Sequence, residues 1–153
     1  MSFNRKPGGS ADSGPPIGSV LSELPPHISN IGTPAEPGEA TDTVLLFVST
    51  YCSHCIDLLP YIDAMTRNHP SFSFRLLSTG DEDDHRSMIE YFGWTFPVCS
   101  LDQSDMEAYF AVTYLPFAIV VDYSGKVAAK GVVYNADDFE QLVKDYARHA
   151  LTR

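Results

Sequence analysis

Only three of the 153 residues are cysteine, at positions 52, 55 and 99. Three are too few to staple a fold with disulfides, and a chain of this length can bury a core without them. The odd count leaves one thiol over once any two are paired. Cations are scarce as well: ten Lys and Arg stand against twenty Asp and Glu, a formal net charge of -10. A surface so poor in positive charge excludes a phosphate backbone as a partner, so no nucleic acid is expected. Long hydrophobic runs are missing too. No stretch approaches the roughly 20 apolar residues of a membrane span, and the opening "MSFNRKPGGSADSGPP" lacks the apolar centre of a secretory signal.

Proline and glycine are concentrated at one end. Seven of eleven prolines and six of ten glycines fall within the first 38 residues. Residues 1–38 therefore read as a flexible Pro/Gly-rich tether or arm, and 39–153 as the folded domain. Within the arm, "IGSVLSELPPHISNIG" has enough apolar residues to lie on the domain surface as a short strand.

Beyond residue 40 the pattern alternates. "TVLLFVS" (43–49) is a short, continuously apolar run, as expected of a strand buried on both faces. Cys55, Leu58, Leu59, Ile62 and Met65 follow at helical spacing, and "NHP" closes that helix. "FSFRLLS" (72–78) reads as a second strand, Asp81 as the cap of an acidic-fronted helix that Gly93 ends, and "FPVCS" as a short extended piece. A short helix over 104–111 precedes "FAIVVDYSGKVAAKGVV", two strand-like runs around Ser124-Gly125. Asn135 then caps a final helix with a stripe of Phe139, Leu142, Val143, Tyr146 and Ala150. The order β-α-β-α-β-α-β-β-α predicts an α/β domain with a mixed sheet flanked by helices.

Chemistry concentrates in "STYCSHC". Cys52 falls at the start of a helix, where unpaired backbone N–H groups and the dipole favour a thiolate. Cys55 lies one turn on, on the same face and within disulfide reach. As a redox pair, Cys52 attacks a partner's disulfide and Cys55 resolves the mixed disulfide. His54, between them, would stabilise the Cys52 thiolate further. Two rival readings stand beside this one. Structural zinc needs four ligands, usually from two such knuckles, and here there is one; Cys99 and His85 lack partners at that spacing. The pair could also be two small hydrophobes.

The pair opens a helix after a buried strand, Pro60 follows five residues after Cys55, and "YLPFAIVVDYSGKV" lies far downstream. Together these resemble the thioredoxin superfamily. The extra helix and strand over 82–99 resemble its TlpA/ResA subgroup. The segments "LLFVSTYCSHC", "STGDEDDHR" and "AAKGVVYNADDFEQL" look most like the methylamine-utilisation MauD proteins. The resemblance implies a thioredoxin-like fold with a helix–strand insertion before a cis-proline, Pro116. It implies a thiol-disulfide oxidoreductase with Cys52, Cys55 and His54 as catalytic residues. Leu115, Pro116 and Tyr51 would contact extended substrate backbone. The redox-active disulfide Cys52–Cys55 would be the sole redox group, with no metal and no separate cofactor. Partners would be protein thiols and disulfides, with maturation of a disulfide-containing protein as the context, and the protein a monomer. The family acts outside the cytoplasm from an N-terminal membrane helix, so either a longer precursor is tethered or this chain is free, with a cytoplasmic site as the alternative.

The sequence departs from the family's pattern at three positions. Tyr51 stands where thioredoxin has Trp, Leu46 where it has a buried Asp, and Leu58 where ResA-like proteins often have Glu. Water or His54 must then take the proton of Cys55, since Asp57 falls on the solvent face. Elsewhere Cys99 reads as a buried free thiol, "DEDDH" (81–85) as an acidic helix start rather than a metal cluster, and His69 as a solvated helix end. Phe92, Trp94 and Phe96 read as core or, if exposed beside Cys52, as a docking patch. Two functions compete: an oxidoreductase, and a thioredoxin-fold binding or chaperone module with little redox turnover.

Overall fold

The computed structural model describes residues 13–21, 29–32 and 42–152. Strand β1 (Ser29–Gly32) is followed by β2 (Thr43–Val48), α1 (Ser53–Asn68), β3 (Ser73–Ser78), α2 (Glu82–Phe92) and β4 (Pro97–Ser100). Helix α3 (Gln103–Phe110), strands β5 (Phe117–Val121) and β6 (Val127–Val132), and helix α4 (Ala136–Thr152) complete the chain. The strands form one sheet in the order β1-β4-β3-β2-β5-β6. Pairs β2–β3 and β3–β4 are parallel, while β1–β4, β2–β5 and β5–β6 are antiparallel. The sheet is mixed, as the alternation predicts.

Strand β2 lacks polar alternation because both of its faces are covered. Val44, Leu46 and Val48 join one core with the α1 residues Leu58, Leu59, Ile62 and Met65 and the α4 residues Phe139 and Leu142. Leu45 and Phe47 point the other way, into a second core with Met106 and Phe110 of α3. Burying each such aliphatic or aromatic side chain contributes roughly 1.5–3 kcal/mol, so the order of the helices decides which face each strand residue serves.

Local signals set the helix ends. Asp81 accepts from the Asp84 N–H at 2.9 Å and the Asp84 carboxylate accepts from the Asp81 N–H at 3.2 Å, a reciprocal capping box. Gly93 ends α2 at φ 69°, a left-handed conformation suited to glycine. Asn135 Oδ1 accepts from the Asp138 N–H at 2.9 Å at the head of α4.

The region read as a tether or arm contributes to the domain. Strand β1 lies within it and forms the edge of the sheet, Asn30 opposite Cys99 and Ile31 opposite Val98. Residues 13–21 run across the β5–β6 side, where Val20 bridges Lys126 and Gly18 N–H donates to the Val127 carbonyl at 2.7 Å. Residues 1–12, 22–28 and 33–41 lie outside the described residues.

Candidate functional site

Cys52 is the N-cap of α1 itself, with extended backbone (φ -106°, ψ 119°). Its Sγ accepts from the Cys55 N–H at 3.3 Å. A sulfur thus occupies the position where a Ser or Asp oxygen normally satisfies one of the unpaired donors of a first turn. Ile56 N–H donates to the Cys52 carbonyl at 3.0 Å, fixing the turn from the backbone side. Cys52 is half-buried and Cys55 wholly buried, packed with Leu58 in the α1 core. The two thiols therefore have different access to a partner, though only one helical turn separates them.

Their electrostatics differ as well. Burial pushes the Cys55 thiol well above the ordinary thiol range, a hydrogen bond with Cys52 pushes it further, and a backbone hydrogen bond at Ser49 works against both. Leu46 is 1% exposed and Leu58 0%, so the positions that carry acids in the resembled families are apolar core here. Asp57 is exposed, as its place on α1 predicts.

The residues singled out from the sequence separate into two groups. Leu115 and Pro116 come together with Cys52: the Leu115–Pro116 peptide bond is cis, and Cys52 Sγ lies 3.8 Å from the Leu115 carbonyl oxygen, to which it donates. Pro116 is buried and Leu115 half-buried. Tyr51, immediately before Cys52, is 89% exposed. His54 is also exposed, and its ring meets Tyr134 edge-on at a centroid distance of 4.8 Å. Tyr134, on the β6–α4 connection, gave no sequence signal of its own.

Sequence reasoning also missed a buried polar pin behind the cysteine loop. Thr79 Oγ1 donates to Ser49 Oγ at 3.0 Å and accepts from the Thr50 N–H at 3.0 Å, and Ser49 Oγ accepts from the Tyr51 N–H at 3.1 Å. His85 is wholly buried, with Nε2 2.9 Å from the Thr79 carbonyl. The acidic stretch around it is a helix start, but His85 shares a helical face with Met88, Ile89 and Phe92. That stripe is the signal for its burial.

Other features resolve as packing. Cys99 is buried in the core on the opposite sheet face from Cys55, its thiol pushed up by burial and partly relieved by Arg75. Among the described residues no three His, Cys, Asp or Glu side chains converge as metal ligands. Trp94 and Phe96 are buried, with Trp94 stacked on Phe92 at 5.0 Å, so this cluster is core and not a docking patch. His69 is not simply solvated: Nε2 is 2.7 Å from Glu140 Oε2, linking the end of α1 to α4.

With this geometry in place, the chain can be set beside known proteins. Among solved structures, the thioredoxin domain of a thiol-disulfide oxidoreductase from Bacteroides vulgatus superposes with a TM-score of 0.62 at 22% identity, covering 86% of this chain and 97% of that one. StoA from Bacillus subtilis gives 0.57 at 18%, covering 77% and 97%. A secreted Mycobacterium tuberculosis disulfide oxidoreductase homologous to E. coli DsbE gives 0.57 at 16%, covering 71% and 83%. The fold is thioredoxin-like. Helix α2 and strand β4 form the expected insertion ahead of the cis-proline. By sequence, the thioredoxin-like chain is similar to methylamine utilization protein MauD of Methylorubrum extorquens, 27% identical over 140 residues. That match takes in 87% of this chain but only 65% of the relative's length. No family model matches the sequence. Among the described residues no helix is long and apolar enough to cross a membrane.

Proposed function

We propose that the protein is a thiol-disulfide oxidoreductase that exchanges disulfides with protein substrates through Cys52 and Cys55. One observation carries the reading: an accessible sulfur caps the helix and touches the carbonyl before Pro116, while its partner sulfur is buried one turn away. In the forward direction the Cys52 thiolate attacks one sulfur of a substrate disulfide. That S–S bond breaks, a Cys52–substrate disulfide forms, and the departing thiolate takes up a proton. Cys55 then gives its proton to water or to His54 and attacks the Cys52 sulfur. The mixed disulfide breaks, the second substrate thiolate leaves, and two electrons have passed to the substrate as the Cys52–Cys55 disulfide forms. The same steps reversed oxidise a dithiol.

Leu115, Pro116 and Tyr51 form the proposed contact for extended substrate backbone. His54, exposed between the two cysteines with its ring against Tyr134, is the third proposed catalytic residue. The substrate class is a disulfide-containing protein undergoing maturation outside the cytoplasm, in keeping with the secreted relative and the likeness to MauD. The protein acts as a monomer, with the cysteine pair as its sole redox group.

Replacing Cys55 with Ser tests the reading. Cys55→Ser should accumulate a mixed disulfide with a substrate protein, released by dithiothreitol, and Cys52→Ser should not. Exchange that survives the loss of Cys52 would contradict it. A redox titration against glutathione fixes the direction: a potential near about -120 mV marks an oxidant and one near about -270 mV a reductant.

A further inference from the structure

The arm at residues 13–15 is buried although its composition, Ser-Gly-Pro, is that of a linker. It contacts one place in particular, the connection between α3 and the cis-proline. Gly14 N–H donates to the Ala111 carbonyl at 2.7 Å. Ser13 Oγ accepts from the Thr113 N–H at 3.0 Å and lies 3.2 Å from Thr113 Oγ1. Lys130 Nζ reaches the Gly14 carbonyl at 3.5 Å from β6. The fit at Gly14 excludes a side chain: a Cβ there would stand 2.8 Å from Cε2 of the buried Phe117 ring, and φ is +82°.

The cap of α3 holds the start of this connection, the Ala111 N–H donating to the Glu107 carbonyl at 3.0 Å and the Val112 N–H to the Met106 carbonyl at 3.2 Å, and Ser13 takes the next donor, the Thr113 N–H. Ala111 adopts the left-handed conformation at φ 57°, which residues with a Cβ rarely hold. Four residues later comes Leu115, whose carbonyl faces Cys52 Sγ, and then Pro116 and Phe117. Without the arm, the Thr113 N–H would lose its Ser13 partner.

We infer that Ser13 and Gly14 are positioning residues: they strap the 111–116 connection in place and so set the substrate-binding carbonyl of Leu115 against Cys52. The inference rests on the disulfide-exchange reading for its functional consequence, but its structural content stands apart from that reading. The strap acts on the loop and not on α1: its loss loosens the long 3.8 Å contact from Cys52 Sγ to the Leu115 carbonyl but leaves the 3.3 Å cap bond from the Cys55 N–H, so it changes polypeptide docking far more than the reactivity of the Cys52 sulfur.

Ser13→Ala removes the acceptor for Thr113, and Gly14→Ala forces the arm off Phe117. In both variants, amide hydrogen exchange at Val112, Thr113 and Leu115 should quicken about tenfold, while amides in β2 and α1 keep their protection. The KM for a disulfide-bonded peptide should rise roughly fivefold or more with kcat little changed, and alkylation of Cys52 by iodoacetamide should stay within about twofold of the unaltered protein. Unchanged loop amides in both variants would overturn the strap. So would a quickened loop that leaves the KM unmoved, or a fall in alkylation that matches the fall in peptide exchange. If the unaltered protein fails to exchange with the peptide at all, the redox reading falls, and with it the strap's part in catalysis, while the amide comparison still decides the structural contact.

Discussion

Cys52 and Leu115 are 63 residues apart in sequence, yet the cysteine sulfur lies 3.8 Å from the leucine's carbonyl oxygen. The contact joins the start of α1 to the end of the segment that leads into β5. Leu115 is also packed against both cores, one on each side of the sheet. The peptide unit before Pro116 is therefore anchored to the hydrophobic interior through the Leu115 side chain. This is what fixes that carbonyl next to the Cys52 sulfur.

Leu115→Ala should be destabilising by less than Leu58→Ala. Leu58 is wholly buried, so its truncation should cost roughly 2–5 kcal/mol. The half-exposed Leu115 should cost a fraction of that while lowering the rate of peptide exchange more. Urea unfolding and an exchange assay on both variants make the comparison.

Thr79→Val keeps the shape of the side chain and removes the hydroxyl that bonds Ser49 and the Thr50 N–H. The Thr50 N–H then loses its acceptor while Ser49 Oγ keeps only the Tyr51 N–H, which should cost about 1–3 kcal/mol. Because they hold the backbone just before Cys52, the potential of the pair should shift as well. Thr79→Ser, which keeps the hydroxyl, should restore the potential.

Alkaline pH should weaken the reduced protein. The Cys55 and Cys99 thiols are both raised in the folded state above the ordinary value of 9.0. The folded chain then binds these protons more tightly than the unfolded one. The stability this contributes is complete below pH 9 and is lost as pH rises above it towards the folded values. Thermal melts of the reduced protein should fall in Tm above that pH, and Cys99→Ala should make the decline shallower.

Asp81→Ala should lower stability by about 0.5–2 kcal/mol through loss of the N-cap, and a chelator should not shift the Tm of the unaltered protein. A chelator-sensitive Tm would mean that the acidic stretch or the cysteines hold an ion.

From Thr43 onward the fold was legible because its signals are local. Asp81, Gly93 and Asn135 mark helix ends by their own chemistry, and the unbroken apolar run of β2 announces two covered faces. The cysteine pair was legible for the same reason: spacing and a helix start are properties of a short segment. What the sequence hid depends on distant partners. Strand β1, "SNIG", has one apolar side chain and owes its conformation to pairing with β4. Ser13 and Gly14 look like linker residues until Thr113 and Phe117 are brought beside them. His85 was obscured by its acidic neighbours, and Tyr134 by lying 80 residues from His54.

The central claim is that the two neighbouring sulfurs are unequal, Cys52 accessible at the helix cap and Cys55 buried with its ionisation opposed. Brief treatment of the reduced, folded protein with limiting iodoacetamide at neutral pH, followed by peptide mapping, measures this directly. The account predicts a label on Cys52 and almost none on Cys55 or Cys99. Equal labelling of Cys52 and Cys55, or preference for Cys55, would contradict it.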